Sequence, residues 1–156
     1  PFCVGFSLLA MAESSDSKSD IFAYDLFEDY EFKHGQQKEV QDLLDVHFVK
    51  NVKLVKQDAI EAAQNHRDGS VDFHHIDISN DGDSLAKMFD AWAPKIWEDG
   101  LVVFEGGSYY RDTGGWMAKY NKKPISYFKR TLSDRGFEYF TLLPWPSLTL
   151  CRKGLK

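Results

Sequence analysis

The sequence predicts an α/β fold in which a mostly parallel sheet is covered by helices on both faces and ends in an antiparallel β-hairpin. Short apolar runs alternate with segments of helical periodicity, and strands connected by helices form parallel sheets through right-handed crossovers. Four apolar runs end at or just before an acid, namely Asp25, Asp58, Asp77 and Glu105. Parallel strands are buried on both faces, so these acids indicate the edge where an open α/β sheet binds ligands.

The first part of the chain is predicted to contain three helices and two strands. The helices are residues 6–13, 36–48 and 59–65, of which the second is amphipathic. The strands are residues 21–26 and 52–55. The first helix begins directly after Gly5, whose freedom at positive φ suits a tight turn. Residues 27–33, aromatic and acidic, are predicted to form a structured loop over the crevice.

The middle of the chain repeats the strand–helix–strand pattern. Residues 71–78 are predicted to be a strand, and residues 101–104 a second, buried strand. Residues 84–97 separate them and indicate a core helix, since one helical stripe carries Leu85, Met88, Phe89, Trp92 and Ile96.

The last part begins with residues 105–123, which are predicted to be a long loop or lid with some helix. Pro124 suits a helix first turn, so residues 125–135 are predicted to be a helix that ends at Gly136. The final strands, residues 137–143 and 147–152, are joined through a Pro-Trp-Pro segment and are predicted to form an antiparallel edge pair.

The composition bounds the class of protein. A chain of 156 residues with 43% hydrophobic and 15% aromatic content suits one domain with its own core. The net charge of −5 argues against general nucleic-acid binding. No apolar stretch reaches the roughly 18 residues of a membrane span, and residues 1–12 lack the pattern of a signal peptide. Cys3 and Cys151 lack metal-site spacing, which predicts two reduced thiols in a cytoplasmic protein.

The chain resembles the class I S-adenosylmethionine-dependent methyltransferases, and among them the small-molecule O-methyltransferases. Residues 5–13 resemble the helix after the family's glycine-rich first loop. Three segments of this chain resemble the ends of the family's second, third and fourth strands. They are Tyr24-Asp25-Leu26-Phe27, Lys56-Gln57-Asp58-Ala59 and His75-Ile76-Asp77. The resemblance covers nearly the whole chain and implies a Rossmann-like fold with the antiparallel C-terminal hairpin of this family.

The resemblance also implies how S-adenosylmethionine is bound. Asp25 would accept hydrogen bonds from the ribose hydroxyls, and Asp58 would accept one from the adenine amine. The amide of Ala59 would reach a ring nitrogen, while Leu26 and Phe27 would supply apolar faces for the adenine. Gly5 and Asp77 complete the predicted cofactor-binding residues. Asp25 and Asp58 could also cap the segments that follow them.

Histidines and aromatic residues are the candidates for the acceptor side. His75 shares a strand face with Asp77 and is the first candidate for a general base, with His34 of the crevice loop as the second. Because neighbours on a strand point to opposite faces, at least one of His74 and His75 is expected to be a hydrogen-bonded core histidine. The predicted substrate-binding residues, which could instead pack the lid, are Tyr109, Tyr110, Arg111 and Trp116.

Two departures from the family concern the metal and the N-terminus. Ile78-Ser79-Asn80 replaces the second carboxylate of metal-using relatives, and Glu105 stands where they have Asp, so a Mg²⁺ ion on Asp77 and Glu105 is left open. The family's first strand would precede Pro1. We therefore expect a single, N-terminally truncated domain over residues 1–156, with a stub strand over residues 1–4 and weak cofactor binding.

Three functions remain as hypotheses. The first is methyl transfer from S-adenosylmethionine to a small molecule, at a hydroxyl group, by a protein that could form a homodimer. The second is a binding domain of the same fold without turnover, which the missing carboxylate and first strand would explain. The third is a nicotinamide-dependent reductase. It is the weaker hypothesis because no G-x-G-x-x-G fingerprint follows a strand in this sequence.

Overall fold

The described residues confirm the predicted α/β fold, with parallel and antiparallel strand pairs and helices between them. The structure is a computed structural model and describes residues 5–31, 35–143 and 147–154. The chain divides into two compact units, Pro1–Ala62 and Ala63–Lys156, each of which is described by itself. The predicted stub over residues 1–4, the candidate base His34 and the Pro-Trp-Pro connection lie outside the described residues.

The first unit contains two helices and a pair of parallel strands. Its elements are α1 (Phe6–Ser14), β1 (Ile21–Asp25), α2 (Gln37–Val46) and β2 (Val52–Lys56), with a 3₁₀ helix over Phe27–Asp29. The strands pair in parallel from Ile21 opposite Val52 to Asp25 opposite Lys56. All four elements lie close to their predicted positions, and the carboxyl ends of β1 and β2 therefore lie side by side.

The core of the first unit forms from one face of each helix. Leu9 of α1, Val40 and Leu44 of α2, and Phe27 after β1 form its buried cluster. Gly5 precedes α1 at φ 83°, as the sequence predicts, and a Cβ there would lie 2.9 Å from Val40 Cγ1. A larger residue would therefore be strained by its backbone and would press on α2.

The second unit contains a four-stranded sheet with helices between its strands. Its elements are β3 (Val71–Ile76), α3 (Gly82–Trp92), β4 (Ile96–Glu105), α4 (Tyr109–Asp112), α5 (Gly115–Lys119), α6 (Ile125–Lys129), β5 (Phe137–Leu142) and β6 (Leu148–Lys153). The strand order is β3-β4-β6-β5, with β3 and β4 parallel and the other two pairs antiparallel. The closing hairpin is therefore confirmed, although only β5 of its two strands lies at the sheet edge.

Aromatic and aliphatic side chains from α3, α6 and the sheet form the core of the second unit. Phe89 of α3 contacts Phe128 and Phe137, with ring centroids 5.2 and 4.7 Å apart. Leu85, Met88 and Trp92 of the predicted stripe are also buried. Cys151 of β6 carries a free, buried thiol, and burial raises its pKa to about 12.

The start of β4 differs from the prediction. Helix α3 ends at Trp92, a 3₁₀ turn over Ala93–Lys95 follows, and β4 already begins at Ile96. Pro94 lacks the N–H that would continue α3. Asp99, at φ 68°, lies at a bulge within the strand, whereas residues 98–100 fall between the predicted helix and the predicted strand. Ile96 is fully buried, but as a strand residue and not on the helical stripe.

The helix predicted over residues 125–135 is also shorter than expected. Helix α6 ends at Lys129, and hydrogen-bonded turns continue to Arg135. Pro124 precedes the helix as its cap, and Gly136 at φ 79° leads into β5. In the described part of the chain, no helix is long and apolar enough to cross a membrane.

Candidate functional site

Asp25 lies at the carboxyl end of β1, in the position expected of a ligand-binding acid. Its side chain is exposed, and its Oδ1 accepts a hydrogen bond from the Phe27 N–H at 2.6 Å. This bond stabilises the turn after the strand, in which Phe27 has a φ of 48°. A non-glycine residue at positive φ is strained and is often found at functional sites. Asp25 thus combines capping of the turn with an exposed carboxylate at the strand end.

Phe27 does not present its ring to a ligand in the way the sequence suggested. Its side chain is only 6% exposed and belongs to the core cluster with Leu9, Val40 and Leu44. The preceding Leu26 is half-buried. Of the two predicted apolar contacts to adenine, Leu26 is therefore the one with accessible surface, and the ring of Phe27 is part of the core.

Asp58 follows β2 and caps the next turn. Its Oδ1 accepts hydrogen bonds from the N–H groups of Ile60 at 2.8 Å and Glu61 at 3.1 Å, at the start of the 3₁₀ helix Glu61–Asn65. The capping alternative is thus confirmed. A carboxylate has several acceptor positions, so the cap leaves capacity for a second donor. Ala59, next to it, is half-buried.

Lys56 forms an ion-pair group that the sequence analysis missed. Its Nζ lies 2.7 Å from Glu28 Oε1 and 2.8 Å from Asp29 Oδ2. Hydrogen bonds from Lys56 and from the N–H of Gln37 lower the pKa of Glu28 to about 2. The two acids raise the pKa of Lys56 in turn. The sequence carried a signal for this group. Lys56 ends β2, and Glu28 and Asp29 follow the neighbouring parallel strand β1.

His74 and His75 on β3 have different surroundings. The His74 ring lies against Trp92, with centroids 4.5 Å apart, and its buried Nδ1 has no hydrogen-bond partner among the described residues. Burial lowers the pKa of His74 to about 4. His74 is therefore the core histidine of the pair. We expected such a histidine to be hydrogen-bonded, but Nδ1 of this ring is not. His75 is half-buried, and Asp77 is exposed just after the strand.

Glu105 at the carboxyl end of β4 is held by two neighbours. Its Oε1 lies 2.8 Å from Arg111 Nη2, and its Oε2 accepts a 3.4 Å hydrogen bond from Asn80 Nδ2. The Arg111 side chain is only 12% exposed. Gly106, at φ 98°, follows closely, since a Cβ there would lie 3.6 Å from Arg111 Cγ and 3.7 Å from Asn80 Oδ1.

This arrangement does not suit the Mg²⁺ ion that was left open on Asp77 and Glu105. Both oxygens of Glu105 already contact neighbouring side chains, and the guanidinium supplies the positive charge that a metal would bring. The described ranges also contain no group of three or more His, Cys, Asp or Glu side chains arranged to hold a metal ion. The residues present therefore fit an arginine-paired glutamate better than a magnesium ligand.

Two of the four predicted substrate-binding residues come together in the second unit. The guanidinium of Arg111 lies over the Trp116 ring, 4.9 Å from its centroid, and Lys122 Nζ lies 5.8 Å from the same centroid. Tyr109 and Tyr110 are instead 76% and 75% exposed and contact each other at 6.0 Å. The sequence analysis missed Lys122, whose Nζ also donates to Ser79 Oγ at 2.5 Å.

The strand order and the acids at the strand ends are consistent with a class I S-adenosylmethionine-dependent methyltransferase. Residues 2–105 match the family model described as a methyltransferase domain, and the chain belongs to this family. No curated protein matches the chain. The fold is confirmed by solved structures at low sequence identity.

Three such structures illustrate the similarity. A candidate O-methyltransferase from Klebsiella pneumoniae has a TM-score of 0.77 at 13% identity, over 98% of this chain and 70% of its own. A SAM-dependent O-methyltransferase from Thermotoga maritima has a TM-score of 0.67 at 11% identity, over 98% and 57%. A candidate methyltransferase from Streptococcus mutans, in complex with SAH, has a TM-score of 0.66 at 13% identity, over 98% and 85%.

Proposed function

We propose that this protein transfers a methyl group from S-adenosylmethionine to a hydroxyl group of a small molecule. Membership in the methyltransferase domain family supports the reaction class. The O-methyltransferase described for Thermotoga maritima, which shares the fold, supports oxygen as the methylated atom. The single observation that carries the proposal is the exposed carboxylate of Asp25 at the end of β1, in a turn that its own hydrogen bond stabilises.

In this proposal, residues at the ends of β1, β2 and β3, together with Gly5, bind the cofactor. Asp25 accepts hydrogen bonds from the ribose hydroxyls, which a carboxylate does more strongly than a neutral group. Asp58 accepts from the adenine amine while it caps the turn, and the Ala59 amide donates to the ring. Leu26 offers its accessible apolar surface to the adenine, and Gly5 allows the backbone to turn into α1. Asp77 remains a proposed cofactor contact.

Two histidines act on the acceptor in this proposal. When bound, S-adenosylmethionine would supply an electrophilic methyl group, and its S–CH₃ bond would break as an O–CH₃ bond forms on the acceptor. The hydroxyl proton of the acceptor passes to the imidazole of His75, which is half-buried on β3. His34 is the second proposed base. This displacement depends on alignment of the acceptor oxygen with the methyl group and needs little acid catalysis. The main task of the chain is therefore to orient the acceptor and exclude water.

Binding of S-adenosylhomocysteine to the 156-residue chain tests the proposal. We expect a heat of binding by calorimetry at high protein concentration, lost in Asp25→Ala. Asp25→Asn should keep the hydrogen bond from Phe27 but weaken binding about tenfold, since charge-assisted bonds are roughly twice as strong as neutral ones. Asp42→Ala, which changes an exposed Asp of α2 in the same unit, is the matched control. No binding by the parent chain, or equal binding by Asp25→Ala, would refute the proposal.

The alternative is a cofactor-binding domain without turnover. The pairing of Glu105 with Arg111 favours this alternative. The ion pair occupies a strand-end acid that metal-dependent catalysis would need. Methyl transfer from labelled S-adenosylmethionine to a panel of phenols, sugars and amines separates the two functions. Binding without any labelled product would support the alternative, whereas a product that depends on His75 would support catalysis.

A further inference from the structure

We propose that the acceptor carries an anionic group, and that Lys122, placed beside Arg111 on Trp116, binds it. This inference rests on the proposed methyl transfer and names the substrate class. Residues 109–135 contain seven Lys and Arg residues and only two Asp, in a chain whose net charge is −5. The positive charge is thus concentrated in α4, α5, α6 and their connections.

Besides Lys122, three of these seven cations form ion pairs or hydrogen bonds with other residues of the second unit. Arg111 pairs with Glu105, and Arg135 lies 2.9 Å from Asp90. Lys129 donates to the Gly107 carbonyl at 2.6 Å and to Thr141 Oγ1 at 2.7 Å. These residues stabilise the second unit.

Lys122 differs from the other cations in its position. Its Nζ donates to Ser79, which follows β3, and lies against the face of Trp116. Within the described residues, no carboxylate lies within ion-pair distance of Lys122. Asp81, which interacts electrostatically with Lys122, accepts hydrogen bonds from Ser84 and from the Lys123 N–H. The ammonium group has three N–H donors, so donors remain for another partner.

The surroundings of Lys122 suit one negative charge. Trp116 contacts two cations, Arg111 and Lys122, and its electron-rich face stabilises both. Glu105 lies within ion-pair distance of Arg111. Trp116 therefore brings two cations together, and both would attract a carboxylate or phosphate bound beside Lys122.

The location also agrees with acceptor binding. Ser79 follows β3 and Glu105 ends β4, and these two strands are parallel. Their carboxyl ends form the edge at which open α/β sheets bind ligands. Trp116 adds an aromatic surface for a ring-shaped molecule. A hydroxylated aromatic compound with one acidic substituent therefore fits this group of residues.

Calorimetry with four probes on the 156-residue chain tests the inference. Two probes are anionic, namely 3,4-dihydroxybenzoate and 4-hydroxyphenyl phosphate. Catechol is neutral, and dopamine is cationic. We expect the anionic probes to bind at least about tenfold more tightly than catechol, since one charge-assisted hydrogen bond is involved. The tighter of the two shows whether carboxylate or phosphate is preferred.

Variants at Lys122 show whether that residue causes the preference. Lys122→Gln should make 3,4-dihydroxybenzoate and catechol bind about equally, and Lys122→Glu should favour dopamine. Lys87→Gln, on the exposed surface of α3, should leave the preference unchanged. Equal binding of anionic and neutral probes by the parent chain, no binding of any probe, or a preference that survives Lys122→Gln would overturn the inference.

A separate titration distinguishes this inference from the proposed function. Lys122→Gln should bind S-adenosylhomocysteine as the parent chain does, because Lys122 is not among the proposed cofactor contacts. Failure of cofactor binding in the parent would refute the methyl-transfer proposal, whatever the four probes show. Normal cofactor binding with no preference for anionic probes would refute only the inference about the acceptor.

Discussion

The Phe27 N–H donates a 2.6 Å hydrogen bond to Asp25 Oδ1, and the turn that it stabilises holds Phe27 at a φ of 48°. The proposed ribose ligand is thereby coupled to the core, because the Phe27 side chain is buried against α1 and α2. Burial of the ring offsets the cost of the positive φ. An Asp25 variant can therefore alter both cofactor affinity and stability, and each must be measured.

Phe27→Ala should strongly destabilise the chain. Removing a buried phenylalanine ring costs about 3–5 kcal/mol of unfolding free energy through lost burial and the cavity left behind. Phe48→Ala is the matched control, since Phe48 also has a positive φ, of 57°, but is 84% exposed. We expect that control to change stability by no more than about 0.5 kcal/mol. Urea denaturation of both variants gives the comparison, and equal losses would contradict this account.

Asp58→Ala should lower the unfolding free energy by about 1 kcal/mol, because the turn after β2 loses its cap. Asp58→Asn should be close to the parent in stability, since an amide oxygen can accept the same N–H bonds. Chemical denaturation checks both values. A loss in Asp58→Asn as large as that in Asp58→Ala would mean that the charge of Asp58, and not its cap, stabilises the turn.

Gly107→Ala should destabilise the second unit by about 2–4 kcal/mol. Gly107 has a φ of 94°, and a Cβ there would lie 2.5 Å from Thr149 Oγ1 and 2.9 Å from Lys129 Cδ. Gly115→Ala is the control, because nothing lies within 4 Å of the added Cβ. Thermal unfolding should show a large drop for the first variant and a change within about 0.5 kcal/mol for the second. Similar melting temperatures would rule out crowding at Gly107.

His74→Leu should reduce the loss of stability on acidification. Burial lowers the pKa of His74 from its usual 6.5 to about 4, so between these values the unfolded chain binds a proton that the folded chain does not. The parent therefore loses stability as the pH falls from 6.5 to 4, by on the order of 3 kcal/mol from this group. His66, whose pKa burial and Lys95 also lower, contributes in the same direction.

The measurement for His74 is urea denaturation of parent and variant at pH 4, 5, 6 and 8. At pH 8 His74 is neutral in both the folded and the unfolded parent chain. The difference in stability between parent and variant at that pH therefore reports only the packing change against Trp92. The difference between the two chains should grow in favour of His74→Leu as the pH falls. A difference that is constant with pH would show that His74 protonates equally in the folded and unfolded chains.

The sequence by itself determined the order and type of most elements. The helical spacing in α2 and α3 and the short apolar runs of β1, β2 and β3 depend on local periodicity, which is visible in one dimension. The same holds for the acids at the strand ends, because a buried parallel strand tolerates charge only where it emerges. Gly5 and Gly136 could be placed because a positive φ favours glycine.

Only the tertiary structure decided what each side chain contacts. Residues 98–100 fall between two elements predicted from the sequence, and only pairing with β3 on both sides of the bulge shows that β4 is continuous through it. Burial of Phe27, and contact of Arg111 and Lys122 with Trp116, join residues that local patterns treat separately. Partners such as Glu105 and Asn80 lie far apart in sequence. Such contacts arise only when strands and helices pack, so single-sequence periodicity carries no signal for them.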